Sequence, residues 1–80
     1  MSSSPSFVKV VLVTGGSSGI GQAICVRLAA QGHRVFGTTR KAMEQPNSYR
    51  LVDMDITDEA SVQRGVEEVL REAGRIDVVV

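Results

Sequence analysis

The stretch Phe7-Val8-Lys9-Val10-Val11-Leu12-Val13-Thr14 runs straight into Gly15-Gly16-Ser17-Ser18-Gly19-Ile20-Gly21, and this junction decides the fold. Five of the first eight residues are β-branched, which suits a pleated strand. The run is almost continuously apolar, so the strand is expected to be covered on both faces, as in a parallel sheet. Four of the next seven residues are glycine, a tight turn in which a ligand can approach the backbone closely. From Ile20 to Gln31 the pattern becomes helical. Ile20, Ala23, Ile24 and Leu28 lie along one face, and Gly32 suits the left-handed residue that ends a helix. A strand, a glycine turn and a helix in this order make an anion site. The first N–H groups of a helix have no partners within it, and the helix dipole adds positive charge there.

Working outward, Arg34 to Thr39 reads as a second strand and Tyr49 to Met54 as a third. The connector Lys41 to Ser48 contains the turn formers Pro46 and Asn47. It is short for a parallel crossover, so an extended loop or a single turn is expected there, not a full helix. Thr57 or Asp58 can cap a second helix, and Asp58 and Glu59 suit its positive end. Val62, Val66, Val69, Leu70 and Ala73 form its apolar stripe, Gly74 can end it, and Ile76 to Val80 begins a fourth strand. Strands alternating with amphipathic helices predict a Rossmann-type α/β fold, a doubly wound parallel sheet. Right-handed crossovers place its strands in the order 3-2-1-4. Residues 1–6 are expected to be a disordered tail. Asp77-Val78-Val79-Val80 would lie beside the first strand, where natural sheets do not leave a bare apolar edge. Residues 7–80 are therefore expected to be the N-terminal part of a larger Rossmann-type domain, truncated in strand 4.

Composition removes several function classes. The 80 residues carry nine basic and nine acidic side chains, and this zero net charge argues against a nucleic acid or an anionic membrane as partner. No apolar run approaches the ~20 residues that span a bilayer. The start Met-Ser-Ser-Ser-Pro-Ser lacks a basic leader, so the expected compartment is cytoplasmic. The single Cys25 cannot form an internal disulfide, and with His33 it is too little for zinc, so no metal is expected. Cys25 reads as a small packed side chain and His33 as a surface residue.

Two competing glycine motifs fail on inspection. A phosphate loop of the NTPase kind needs Lys and Ser/Thr after its last glycine, where this chain has Gln22 and Ala23. The G-x-G-x-x-G fingerprint fits in no register. The motif present is Thr14-Gly15-x-x-x-Gly19-Ile20-Gly21. It resembles the coenzyme-binding turn of the short-chain dehydrogenase/reductase family. Asp55-Ile56-Thr57 is similar to that family's segment after strand three. Arg75-Ile76-Asp77-Val78-Val79-Val80 is similar to the run-in to its Asn-Asn-Ala-Gly motif. The resemblance covers residues 7–80.

The turn nominates Gly15, Ser17, Ser18, Gly19, Ile20 and Gly21 as coenzyme-binding residues. At the end of strand two, where an acid would bind the ribose 2′-hydroxyl of NAD, stand Thr39 and Arg40. A carboxylate would repel a 2′-phosphate, whereas a guanidinium fork and a hydroxyl can hold it, so NADP is expected over NAD. By resemblance, Asp55 accepts from the adenine amino group, the Ile56 backbone frames the ring, and Ile20 packs near the nicotinamide.

The resemblance implies an NADP-dependent oxidoreductase that transfers hydride between the coenzyme and a small-molecule alcohol or carbonyl substrate. Its Tyr-x-x-x-Lys, Ser and Asn cannot be carried over. The sole tyrosine, Tyr49, is followed four residues on by Asp53 and falls at the start of strand three, the end of the sheet away from ligands. No catalytic residue is therefore assigned, and such residues are expected after Val80, in an intact protein expected to be a homo-oligomer. The alternative is a non-catalytic dinucleotide sensor or scaffold that keeps the turn without the chemistry.

Overall fold

The computed structural model describes residues 8–17, 19–40 and 44–80. The elements are β1 (Val10–Val13), α1 (Gly19–Ala30), β2 (Arg34–Thr39), β3 (Arg50–Asp53), α2 (Glu59–Ala73) and β4 (Val78–Val79). The four strands form one parallel sheet in the order β3-β2-β1-β4, the doubly wound arrangement expected. Every β1 side chain is buried, because helices cover both faces of the sheet. On one face Val11, Val13, Val35 and Leu51 pack with Cys25, Ile24, Leu28 and Ala29 of α1. On the other, Val10, Leu12, Phe36 and Val52 pack with Val69, Val62, Val66 and Ala73 of α2. Successive strand residues alternate between the two clusters, as the pleat requires.

The register offsets the strands. Val10 pairs with Arg34, but Phe36 pairs with Arg50, so β3 starts two residues up β2 and reaches Asp53 opposite Thr39. This offset brings the β3–α2 junction level with the glycine turn. The connector bears out the expected absence of a helix over its described residues 44–49. Gln45 stands in for a neighbouring strand, since its Oε1 accepts from the Leu51 N–H at 2.7 Å and its Nε2 donates to the Leu51 carbonyl at 3.1 Å. Asp58 is the N-cap of α2, accepting from the Ala60 and Ser61 N–H groups, and Gly74 ends the helix at φ 83°.

Two helix faces differ from the sequence reading. Ile20 is 80% exposed and Ala23 is exposed, so the α1 stripe is rotated onto Ile24, Cys25, Leu28 and Ala29. The reason is contact geometry: α1 approaches the sheet most closely where Gly16 and Gly37 offer no side chain, and the small Cys25 fits that space. In α2, Leu70 is exposed at the margin of the stripe while Val69 is fully buried.

Candidate functional site

Gly16 is the pivot of the turn. A Cβ there would meet the Gly37 Cα at 2.6 Å, so turn and β2 touch backbone to backbone. The Gly16 N–H donates to the Thr38 carbonyl at 2.9 Å, and the Gly15 N–H donates to Thr38 Oγ1 at 2.9 Å. Thr14 N–H is likewise bound, to the Val80 carbonyl. These three amides are consumed inside the protein. The first turn of α1, from Gly19 onward, offers backbone donors to an anion.

Gly19 enters the helix at φ +61°, a conformation that side-chain-bearing residues rarely adopt. Gly21 is required by space: a Cβ there would sit 1.9 Å from the Gly15 carbonyl oxygen. The start of α1 carries no acidic residue, whereas α2 has Asp58 and Glu59 at its own. Only α1 leaves its positive end uncompensated, as an anion site needs.

At the carboxyl ends of β1, β2 and β3 lies a cleft of about 370 Å³. It brings together Gly15, Ser17, Thr39, Arg40, Asp55 and Ile56, six of the residues nominated from sequence. Gly19, Ile20 and Gly21 stand outside its wall, and Ser18 lies outside the described residues. Thr38, Met54 and Thr57 also line it and were missed. Thr38 had a signal. The isolated Gly37 inside a strand pattern marks a close backbone approach, and the residue beside it meets whatever approaches.

Asp55 Oδ1 accepts from both the Thr57 N–H at 2.9 Å and the Thr57 hydroxyl at 2.7 Å, and its own N–H donates to Ser61 Oγ. These Thr57 bonds hold the Asp55 carboxyl below the usual carboxylate range, with a small contribution from the Arg40 guanidinium. Oδ2 makes no hydrogen bond to a described residue. Arg40 is exposed and makes no ion pair with a described residue. Among the described residues the cleft thus presents threonine hydroxyls, the Arg40 guanidinium just after β2 and the Asp55 carboxylate just after β3. That donor set fits a nucleotide coenzyme of the kind such folds bind.

A larger cleft, about 520 Å³, opens at the other end of the sheet beside His33, Arg34, Arg50 and Glu72. It gathers none of the nominated residues. Among the described residues no group of three or more His, Cys, Asp or Glu could hold a metal ion, and no helix is long and apolar enough to cross a membrane. Tyr49 immediately precedes β3 and lines the larger cleft at the far end of the sheet, the end expected from sequence; it is buried, and its hydroxyl donates to the Gly16 carbonyl at 2.8 Å. The strand offset allows this reach.

Sheet order, crossover pattern and glycine turn define a Rossmann-type nucleotide-binding α/β unit. Residues 9–80 match the short chain dehydrogenase family, and the chain belongs to that family. It is 40% identical over 72 residues to a 3-ketodihydrosphingosine reductase of Bacteroides thetaiotaomicron, covering 90% of this chain and 27% of that protein. An NADPH-dependent 3-dehydrocapnine reductase of Ornithobacterium rhinotracheale is 37% identical over 75 residues, covering 85% and 26%. The solved 3-ketoacyl-(acyl-carrier-protein) reductase of Brucella melitensis, complexed with NADH, superposes with a TM-score of 0.81 at 31% identity, covering 89% and 32%. The chain spans about a quarter to a third of the length of these proteins.

Proposed function

We propose that the protein is an NADP-dependent oxidoreductase that reduces a ketone by hydride transfer, and that residues 7–80 are its coenzyme-binding part. The observation that carries the coenzyme choice is the end of β2, where Thr39 and Arg40, whose guanidinium makes no ion pair with a described residue, stand in the cleft with no carboxylate from that strand. A carboxylate there would exclude a 2′-phosphate; a guanidinium attracts one. When bound, the coenzyme supplies the hydride. The amides of the first turn of α1 bind its diphosphate, and Asp55 and Ile56 hold its adenine. Family membership supports the reaction class, and the keto-compound reductases among its relatives support reduction of a ketone. The relatives' greater length supports placing the acid/base residues outside residues 7–80.

Titration of the protein with NADPH and NADH, followed by coenzyme oxidation with a panel of 3-keto substrates, tests the reading. NADPH is expected to bind at least tenfold more tightly. Equal affinities would overturn the coenzyme assignment. Tight NADPH binding with no turnover of any ketone would replace the enzyme by a coenzyme sensor.

A further inference from the structure

We propose that Tyr49 is a positioning residue for the coenzyme turn, its hydroxyl holding the Gly16 carbonyl so that the turn has its binding shape before coenzyme arrives. The inference rests on the coenzyme reading above and adds a residue to it. The bond spans 33 residues of sequence at 2.8 Å, and both groups are buried. Gly16 is fixed on one side by its N–H bond to Thr38 and on another by the Gly37 backbone. Among the described residues, Tyr49 supplies the only side-chain hydrogen bond to its carbonyl. The ring cannot swing away, because it packs among Val11, Val13, Cys25, Val35 and Leu51. The connector that carries it is closed in turn by the Gln45 amide on both backbone groups of Leu51. A buried carbonyl without its donor is costly, so without the hydroxyl the turn would relax toward water and away from the helix start.

Tyr49 does not line the coenzyme cleft, so it acts only through the turn. The turn faces the diphosphate, which NADPH and NADH share. Loss of the hydroxyl therefore weakens both coenzymes by the same factor, whereas a change at Arg40 weakens NADPH alone. Left without a donor, the buried carbonyl carries the larger penalty of an unsatisfied group, and where that lowers the binding-ready population of the turn to about one fifth, the apparent Kd rises about fivefold.

The test is titration of wild type and Tyr49→Phe with NADPH and with NADH, together with steady-state rates. Expected are full binding stoichiometry, a parallel rise of about fivefold in both Kd values, and a higher coenzyme KM with kcat unchanged at saturation. If wild type binds neither coenzyme, the coenzyme reading itself fails and this inference with it. If wild type binds and Tyr49→Phe matches it, this inference alone is overturned. It is also overturned if only NADPH weakens, or if stoichiometry falls while Kd stays constant. Should Tyr49→Phe not fold, Gln45→Ala, at an exposed position, releases the same connector. A parallel rise of about two- to threefold is expected there, and unchanged affinities would overturn the proposal.

Discussion

Replacing Gly21 by Ala adds one methyl group at the point where α1 passes the turn. The new carbon would lie 1.9 Å from the Gly15 carbonyl oxygen and 2.8 Å from its carbon, against a floor of 3.0 Å for real contacts. Backbone must therefore move by at least 1.1 Å, the difference between 3.0 and 1.9 Å. No flexible side chain can absorb it. Overpacking of this kind costs about 3 kcal/mol, and the better helix propensity of Ala returns about 1 kcal/mol. The net loss is about 2 kcal/mol, which lowers Tm by roughly 8–16 °C in a domain of this size. The displaced atoms belong to the turn, so NADPH affinity should fall with stability. Gly65→Ala is the control. Its Cβ would meet the Met54 Cε at 2.4 Å, the far end of a flexible thioether that can rotate, and the Met54 Cβ at 3.3 Å, which need give only a few tenths of an ångström, so the loss is smaller than at Gly21. Thermal melts followed by circular dichroism, with coenzyme titration of each variant, read both quantities. A Gly21→Ala protein that melts and binds like wild type would refute the close approach from which the turn is argued.

Arg40→Asp should invert the coenzyme preference, weakening NADPH by roughly ten- to a hundredfold with little change for NADH; competitive titration measures the ratio. Asp58→Ala removes the N-cap of α2 and should cost about 1 kcal/mol, a Tm decrease of roughly 4–8 °C, without altering coenzyme preference. Asp77 accepts from Arg75 Nε at 2.8 Å and from the Val10 N–H at 2.7 Å, and these bonds hold its carboxyl below the usual range, as those from Thr57 do for Asp55. Each group thus binds its proton more weakly folded than unfolded. The stabilisation is complete above roughly pH 4 and is lost as pH falls through the lowered folded values. Urea midpoints between pH 2.5 and 6 should drop on acidification, and the drop should shrink in Asp77→Asn.

The strands and the sheet order were legible because they rest on one-dimensional patterns. The apolar run from Val8 to Val13 can only be a strand buried on both sides, and β-branched runs separated by helical stripes can only wind one way. The cleft was legible at its rim, since Arg40 and Asp55 follow strand ends whose position is fixed by topology. What escaped was decided by contact between distant backbones. The rotation of α1 away from Ile20 depends on how closely Gly16 and Gly37 approach, and the capture of the Gly15 and Gly16 amides depends on Thr38 from another strand. The bond from the Tyr49 hydroxyl to Gly16 escaped for a similar reason. The two-residue offset of β3 against β2 is set by pairing, not by the local sequence, and it carries the hydroxyl to the turn.

Backbone amide shifts recorded during titration with NADPH test the central claim most directly, because each amide reports its own position. The account predicts the largest changes at Ser17, Gly19, Ile20 and Gly21, at Thr39 and Arg40, and at Asp55 and Ile56, with Gly32, His33, Arg34 and Arg50 unmoved. Changes gathered instead around those last four residues, or none at saturating NADPH, would contradict it.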